Sequence, residues 1–197
     1  MPEGRGALIV FEGIDGAGKT TQAHRLVESL RADGRQVLYT REPTDGPWGQ
    51  KIRRSAAQQR LPLAEELEAF LEDRRQHVRE VIDPALAAGT TVVLDRYYFS
   101  TAAYQGPRGA DVAEILRANE AFAPAPDLLV FVDTPVPVAM ERIGARGQGV
   151  TAFEKADALE RSAAIFRALD RPYLLAVDGR RSIDELAAQI LAAARRI

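Results

Sequence analysis

Between residues 13 and 20 the chain reads Gly-Ile-Asp-Gly-Ala-Gly-Lys-Thr, the spacing G-x-x-x-x-G-K-[ST]. The glycines let successive backbone N–H groups curl toward phosphate oxygens, and a helix opening at Lys19 adds its positive end. Lys19 is placed to reach β- and γ-phosphates, and the Thr20 hydroxyl to ligate Mg²⁺. Gly13, Gly16, Ala17, Gly18, Lys19, Thr20 and Thr21 are therefore candidate contacts for a triphosphate, with ATP and Mg²⁺ as the expected occupants. Asp15 is the anomaly in this loop. Its carboxylate repels a triphosphate unless it faces a cation, an arginine or a sugar hydroxyl. A second charged cluster, Asp95-Arg96, ends the apolar run Thr-Val-Val-Leu. A carboxylate at such a strand end can hold Mg²⁺ through a water, or can form a plain charge pair with its neighbour.

Basic residues elsewhere show where an anionic partner is gripped. Leu63, Leu67, Phe70, Leu71, Val78, Val81 and Ile82 recur at helical spacing, and Arg74 falls in the middle of that stripe. A guanidinium on a buried face is costly unless paired, so Arg74 needs either a buried carboxylate or a ligand. Arg53 and Arg54 read as a solvated helix face, unless Arg53 is a phosphate clamp. Arginine suits a clamp because its planar fork meets phosphate oxygens two at a time.

These residues must be positioned by alternating strands and helices. Short apolar runs predict strands over 7–12, 36–40, 91–95, 128–133 and 173–177. Amphipathic runs predict helices over 19–32, 48–57, 64–87, 112–121, 137–145, 153–169 and 182–195. Such alternation implies a parallel sheet with right-handed crossovers, and ligands at the carboxyl ends of its strands. The expected architecture is α/β, a three-layer P-loop kinase fold: a five-stranded parallel sheet flanked by helices on both faces. With 197 residues, the whole chain 1–197 is expected to form a single domain.

Composition narrows the function classes. Charged residues make up 27% and the formal net charge is −2, which argues against a large nucleic-acid footprint. No cysteine is present, which removes thiolate chemistry and fits a reducing compartment, so the cytoplasm is expected. No apolar run reaches the roughly 20 residues a bilayer span needs, so no membrane partner is expected. A nucleotide-switch reading lacks N-K-x-D, and Asp95-Arg96-Tyr97-Tyr98 stands where D-x-x-G belongs. A deoxynucleoside kinase stays open as a rival; phosphate-binding roles for Arg53 and Arg96 would favour an acceptor that already carries a phosphate.

The stretch D-R-Y-Y-F-S-T-A-A-Y-Q-G from Asp95 to Gly106, the loop F-E-G-I-D-G-A-G-K-T-T-Q and the T-R-E-P segment together resemble the thymidylate kinase family. The resemblance implies transfer of the ATP γ-phosphoryl group to dTMP, with Mg²⁺, in a protein that is usually a homodimer. It also implies that Phe70 stacks on thymine, that Arg74 and Thr101 meet its edge, and that Tyr104 lies by the sugar with Gln105 closing the site. Arg53 and Arg96 are implied to hold the acceptor phosphate, with Asp15 nearby and Glu42 in the Mg²⁺ and acceptor surroundings. The family places a transferring-phosphoryl arginine either in the phosphate loop or in a lid. The loop here has none, so a lid over about 141–153 is expected to supply Arg146, with Arg142 second and Gly144, Gly147 and Gly149 letting it close. Two departures stand out. R-E-P-T-D-G-P-W-G replaces the commoner R-E-P-G-G-T, and Gly149-Val150-Thr151-Ala152 lacks the usual lid charges.

Overall fold

The computed structural model of the chain describes residues 4–58, 60–144 and 152–197. Its strands are β1 (Leu8–Glu12), β2 (Val37–Arg41), β3 (Thr91–Asp95), β4 (Leu128–Asp133) and β5 (Leu174–Asp178). Its α-helices are α1 (Lys19–Ala32), α2 (Pro47–Ala57), α3 (Leu63–His77), α4 (Asp83–Ala87), α5 (Tyr98–Gln105), α6 (Val112–Glu120), α7 (Val136–Gly144), α8 (Ala152–Arg167) and α9 (Ile183–Ala194). The five strands form one sheet in the order β2-β3-β1-β4-β5, and every pairing is parallel. β1, β3 and nearly all of β4 are buried along their length, which explains their uninterrupted apolar sequences.

Register brings chemistry to one edge. The strands end in Glu12, Arg41, Asp95, Asp133 and Asp178, so all five place a charged residue at the carboxyl end. Arg41 pairs with Asp95, and Asp133 with Asp178. Charge is tolerated there because Arg41, Asp133 and Asp178 reach solvent, while the buried Glu12 and Asp95 each have polar partners. Helix α1 packs on β1, β2 and β3 and against α9, while α8 packs on β4, α5 and α7. Buried apolar residues from Leu8 to Ala194 form one continuous cluster.

The predicted helix over 64–87 is interrupted. A π-helical turn, Val78–Ile82, separates α3 from α4. Pro84, in the first turn of α4, lacks an N–H and crowds the carbonyl four residues back; the widened turn relieves that conflict. Helix α5 is absent from the amphipathic pattern for the opposite reason. Six of its eight residues are buried, so it has no polar face to produce a periodic signal.

Candidate active site

The phosphate loop closes around glycines that no other residue could replace. Gly13 and Gly16 have φ of 143° and 82°. A Cβ on Gly13 would lie 2.7 Å from Val132 O, and one on Gly16 would lie 2.4 Å from Ala139 O. Gly18, left-handed at φ 103°, turns the chain into α1. The Lys19 ammonium donates to Ile14 O at 2.8 Å and is buried. Burial pushes it down to about 8, with Arg96 acting in the same direction and nearby acids opposing. Arg142 sits behind the loop, donating to Ala17 O at 3.2 Å and to Gly179 O at 2.9 Å. A cavity of about 240 Å³ lies in front, lined by Asp15, Gly16, Gly18, Lys19, Thr20, Thr21 and Arg96 with Ile143.

Beside it, the Thr20 hydroxyl donates to Asp95 Oδ2 at 2.5 Å. Asp95 Oδ1 is buried without a partner. An acidic oxygen with nothing to bind, next to a hydroxyl and a phosphate cradle, fits a hard divalent cation completed by phosphate oxygens and water. No cluster of three or more acidic or imidazole side chains able to cage a metal occurs among the described residues. Glu42 requires a correction to its expected metal role. Its Oε2 accepts from Arg74 Nη2 at 2.6 Å, and its Oε1 lies 3.0 Å from His77 Nδ1. Both oxygens already have buried partners, Arg74 and His77, because a buried carboxylate is held by the polar groups packed with it.

Arg96 joins the two sides. It is the one non-glycine residue with positive φ among those described, at 72°. Its guanidinium pairs with Asp15, donates to Ser100 Oγ at 3.2 Å and lies 5.4 Å from the centre of the Tyr104 ring. Of the options left open for Asp15, the arginine is the partner in this structure. Desolvation opposes the charge on Asp15, but Arg96 and then Lys19 outweigh it and hold the carboxyl below its ordinary range. Tyr104 is pushed up to about 12 by burial and stays a neutral phenol; its oxygen accepts from Asp15 N at 3.0 Å.

A second cavity, of about 200 Å³, opens on the other side of Arg96 and Asp15. Phe70, Arg74, Thr101, Tyr104 and Gln105 all line it. Arg74 is 1% exposed, donating to Asn119 Oδ1 at 2.6 Å and to Thr101 Oγ1 at 3.3 Å besides its pair with Glu42. Of the two needs derived for Arg74, the buried carboxylate is met directly, and the guanidinium also borders the cavity. At the far wall the buried Glu66 pairs with Arg60 and Arg108, and Arg108 also donates to Gln105 Oε1 at 2.6 Å. Arg53 does not line the cavity. It stands at the rim, donating to Pro43 O at 2.8 Å and to Asp45 at 2.9 Å. Asp45 belongs to the atypical Thr44–Trp48 loop, which the buried Asp73 anchors by accepting from Thr44 N at 2.8 Å and Thr44 Oγ1 at 2.6 Å. Arg146, Gly147 and Gly149 lie outside the described residues.

Glu12, Glu66, Asn119 and Ser100 escaped the sequence reading. Glu12 and Ser100 lie inside the quoted motifs, so a question about every polar residue there would have raised them. Glu66 and Asn119 carry no local signal of a site, since the arginines that join them to it, Arg108 and Arg74, are 42 and 45 residues away in sequence. Size does not mark the site. A larger open cleft of about 580 Å³ flanks β2, with a mixed lining that includes His24, Tyr39 and Glu80.

Comparison with known proteins points to one family. A sequence profile described as Thymidylate kinase matches residues 11–190. A protein named Thymidylate kinase from Xanthomonas euvesicatoria pv. vesicatoria is 50% identical over 184 residues, covering 93% of this chain and 81% of the relative. Another of that name from Desulfotalea psychrophila is 47% identical over 193 residues, covering 97% and 95%. A third, from Akkermansia muciniphila, is 47% identical over 188 residues, covering 95% and 91%.

Proposed function

Because the chain belongs to the thymidylate kinase family, whose enzymes phosphorylate dTMP from ATP, we propose that its two cavities divide the two substrates between them. The reaction moves the γ-phosphoryl group of ATP onto a phosphate oxygen of dTMP, giving dTDP and ADP. The observation that carries this division is that Asp15 and Arg96 line both cavities. The donor's terminal phosphate and the acceptor's phosphate then meet at a single arginine.

The donor lies in the 13–20 loop, its phosphates held by backbone N–H groups and by Lys19. Thr20 and Asp95 would hold Mg²⁺, which would supply neutralisation of the donor's phosphate charge. Thymine lies against Phe70, with Arg74 and Thr101 at its edge, and the sugar lies beside Tyr104. Arg96 meets the acceptor phosphate, and Arg53 leaves Asp45 to join it. The dTMP phosphate is already nucleophilic at neutral pH, so the residues position and screen charge and need no general base. Arg142 supports the loop through its carbonyls, which leaves Arg146 as the basic residue for the transferring phosphoryl. The whole chain acts as one domain and one half of a cytoplasmic homodimer. A groove between α3 and α6, with half-buried Leu67 and Leu71 and an inner end that shares Phe70, Arg74 and Thr101 with the acceptor cavity, supports that pairing.

An ATP-coupled assay across dTMP, dUMP, dCMP and thymidine tests the reading. Turnover is expected with dTMP; turnover of thymidine without dTMP overturns it. Arg146→Ala is expected to lower kcat by roughly 10²–10⁴ with little change in dTMP affinity. A change confined to KM would remove Arg146 from the transfer step.

A further inference from the structure

Glu12 has no part in the chemistry above, yet it bonds Tyr97 and Ser100 of the acceptor cavity and directly precedes the donor loop. It ends β1, directly before Gly13, and is completely buried. Its Oε1 accepts from Tyr97 N at 2.8 Å and from Ser100 N at 3.0 Å. Its Oε2 accepts from the Ser100 hydroxyl at 2.5 Å. The two N–H groups belong to the start of α5, where helix donors lack partners of their own, so a carboxylate on β1 caps a helix that follows β3. Between the strand and that cap lies Arg96, in its left-handed conformation, with its N–H bonded to Phe11 O at 3.0 Å. The Arg96 side chain is tied to the same carboxylate, because the Ser100 oxygen that accepts from Arg96 donates to Glu12.

We infer that Glu12 is a positioning residue whose ionised carboxylate, by capping α5 and aligning Arg96 through Ser100, sets the acceptor clamp against the donor cradle that begins one residue later. This rests on Arg96 being the acceptor clamp. A neutral side chain of the same shape separates positioning from scaffolding. Glutamine keeps an oxygen for the two N–H groups but presents an amide donor to Ser100, competing with Arg96 for the one hydroxyl oxygen. Charged and titratable groups face Glu12 from the elements packed on it: Lys19 from α1, and Arg96 from the β3–α5 turn, with Tyr97 and Ser100 donating to it. Burial pushes Glu12 up to about 7 against the pull of Ser100, Arg96, the Tyr97 N–H and Lys19. The aligned form is therefore lost as pH falls through neutrality.

The test uses the full chain with Glu12→Gln, Ser100→Ala and Arg96→Ala, measuring melting temperature, dTMP kinetics and the affinity of a non-hydrolysable ATP analogue. Glu12→Gln is expected to raise KM for dTMP about tenfold and Ser100→Ala about fivefold, with ATP-analogue affinity unchanged. The ratio of kcat/KM for dTMP, native over Glu12→Gln, cancels the ionisation of the substrate itself. It is expected to rise with pH through about 7. A flat ratio, or equal losses for both nucleotides, overturns the inference and leaves Glu12 a scaffold residue. Ser100→Ala keeps both backbone bonds to Glu12 and decides the question if Glu12→Gln does not fold. An Arg96→Ala enzyme with normal dTMP kinetics sinks the clamp reading itself. An impaired Arg96→Ala beside normal Glu12→Gln and Ser100→Ala sinks only the role given to Glu12.

Discussion

Replacing Lys19 with alanine is expected to lower kcat by roughly 10³ while leaving the melting temperature within a few degrees of the native protein's. The two expectations have separate physical sources. Among the described residues the ammonium hydrogen-bonds to Ile14 O alone. A buried charge held by one carbonyl contributes little net stability, because desolvation offsets most of the bond. With ATP bound the same group faces phosphate oxygens in a water-poor cradle, where charge that develops during transfer is stabilised most strongly. Calorimetry gives an independent reading of the same contact. Free Lys19 is depressed to about 8, and an anionic ligand raises it again. Binding of an ATP analogue is then expected to take up protons from buffer above pH 8 and to take up few through this group well below it. The Lys19→Ala protein should lose that uptake. Near-native kcat, or uptake that persists without the lysine, would take Lys19 out of the cradle.

Arg74→Met carries the largest expected cost to stability, about 3–5 kcal/mol in urea unfolding, together with a loss of dTMP binding. Methionine fills much of the volume but supplies no donor. Glu42 is left deep in the protein without its guanidinium, and Asn119 Oδ1 loses its 2.6 Å contact. Adding Glu42→Gln removes the stranded charge, so the double variant is expected to recover part of the stability that the single variant loses. It should not recover dTMP binding, because Arg74 itself borders the acceptor cavity. A single-variant loss below about 1 kcal/mol would mean that the pair contributes little, as exposed pairs do. That outcome would contradict the enclosure of both partners.

Much of the fold was legible because each of its signals is local. Uninterrupted apolar runs marked strands β1, β3 and β4, which two layers of helix cover. The phosphate loop announced itself through glycines whose spacing follows from backbone geometry alone. What escaped has a common cause. The π turn before Pro84 changes hydrogen-bond register without changing the apolar stripe, and α5 is too enclosed to show a polar face. Arg53 was expected inside the acceptor site and stands at its rim. In the free protein Asp45 and the Pro43 carbonyl satisfy it, and only the folded Thr44–Trp48 loop brings them near.

By itself, then, the sequence determined the glycine-rich loop at residues 13–20, the strand-end acid Asp95, and the family to which the chain belongs. Each depends on neighbours in sequence or on motif spacing. Tertiary structure alone decided the pairing of charges. Asp15 meets Arg96 across 81 residues, and Arg74 meets Glu42 across 32. Glu42 is thereby held by Arg74 and His77, and Glu12 reaches across 88 residues to Ser100. A buried charge is satisfied by whichever opposite group the fold packs against it, and no local pattern records that choice.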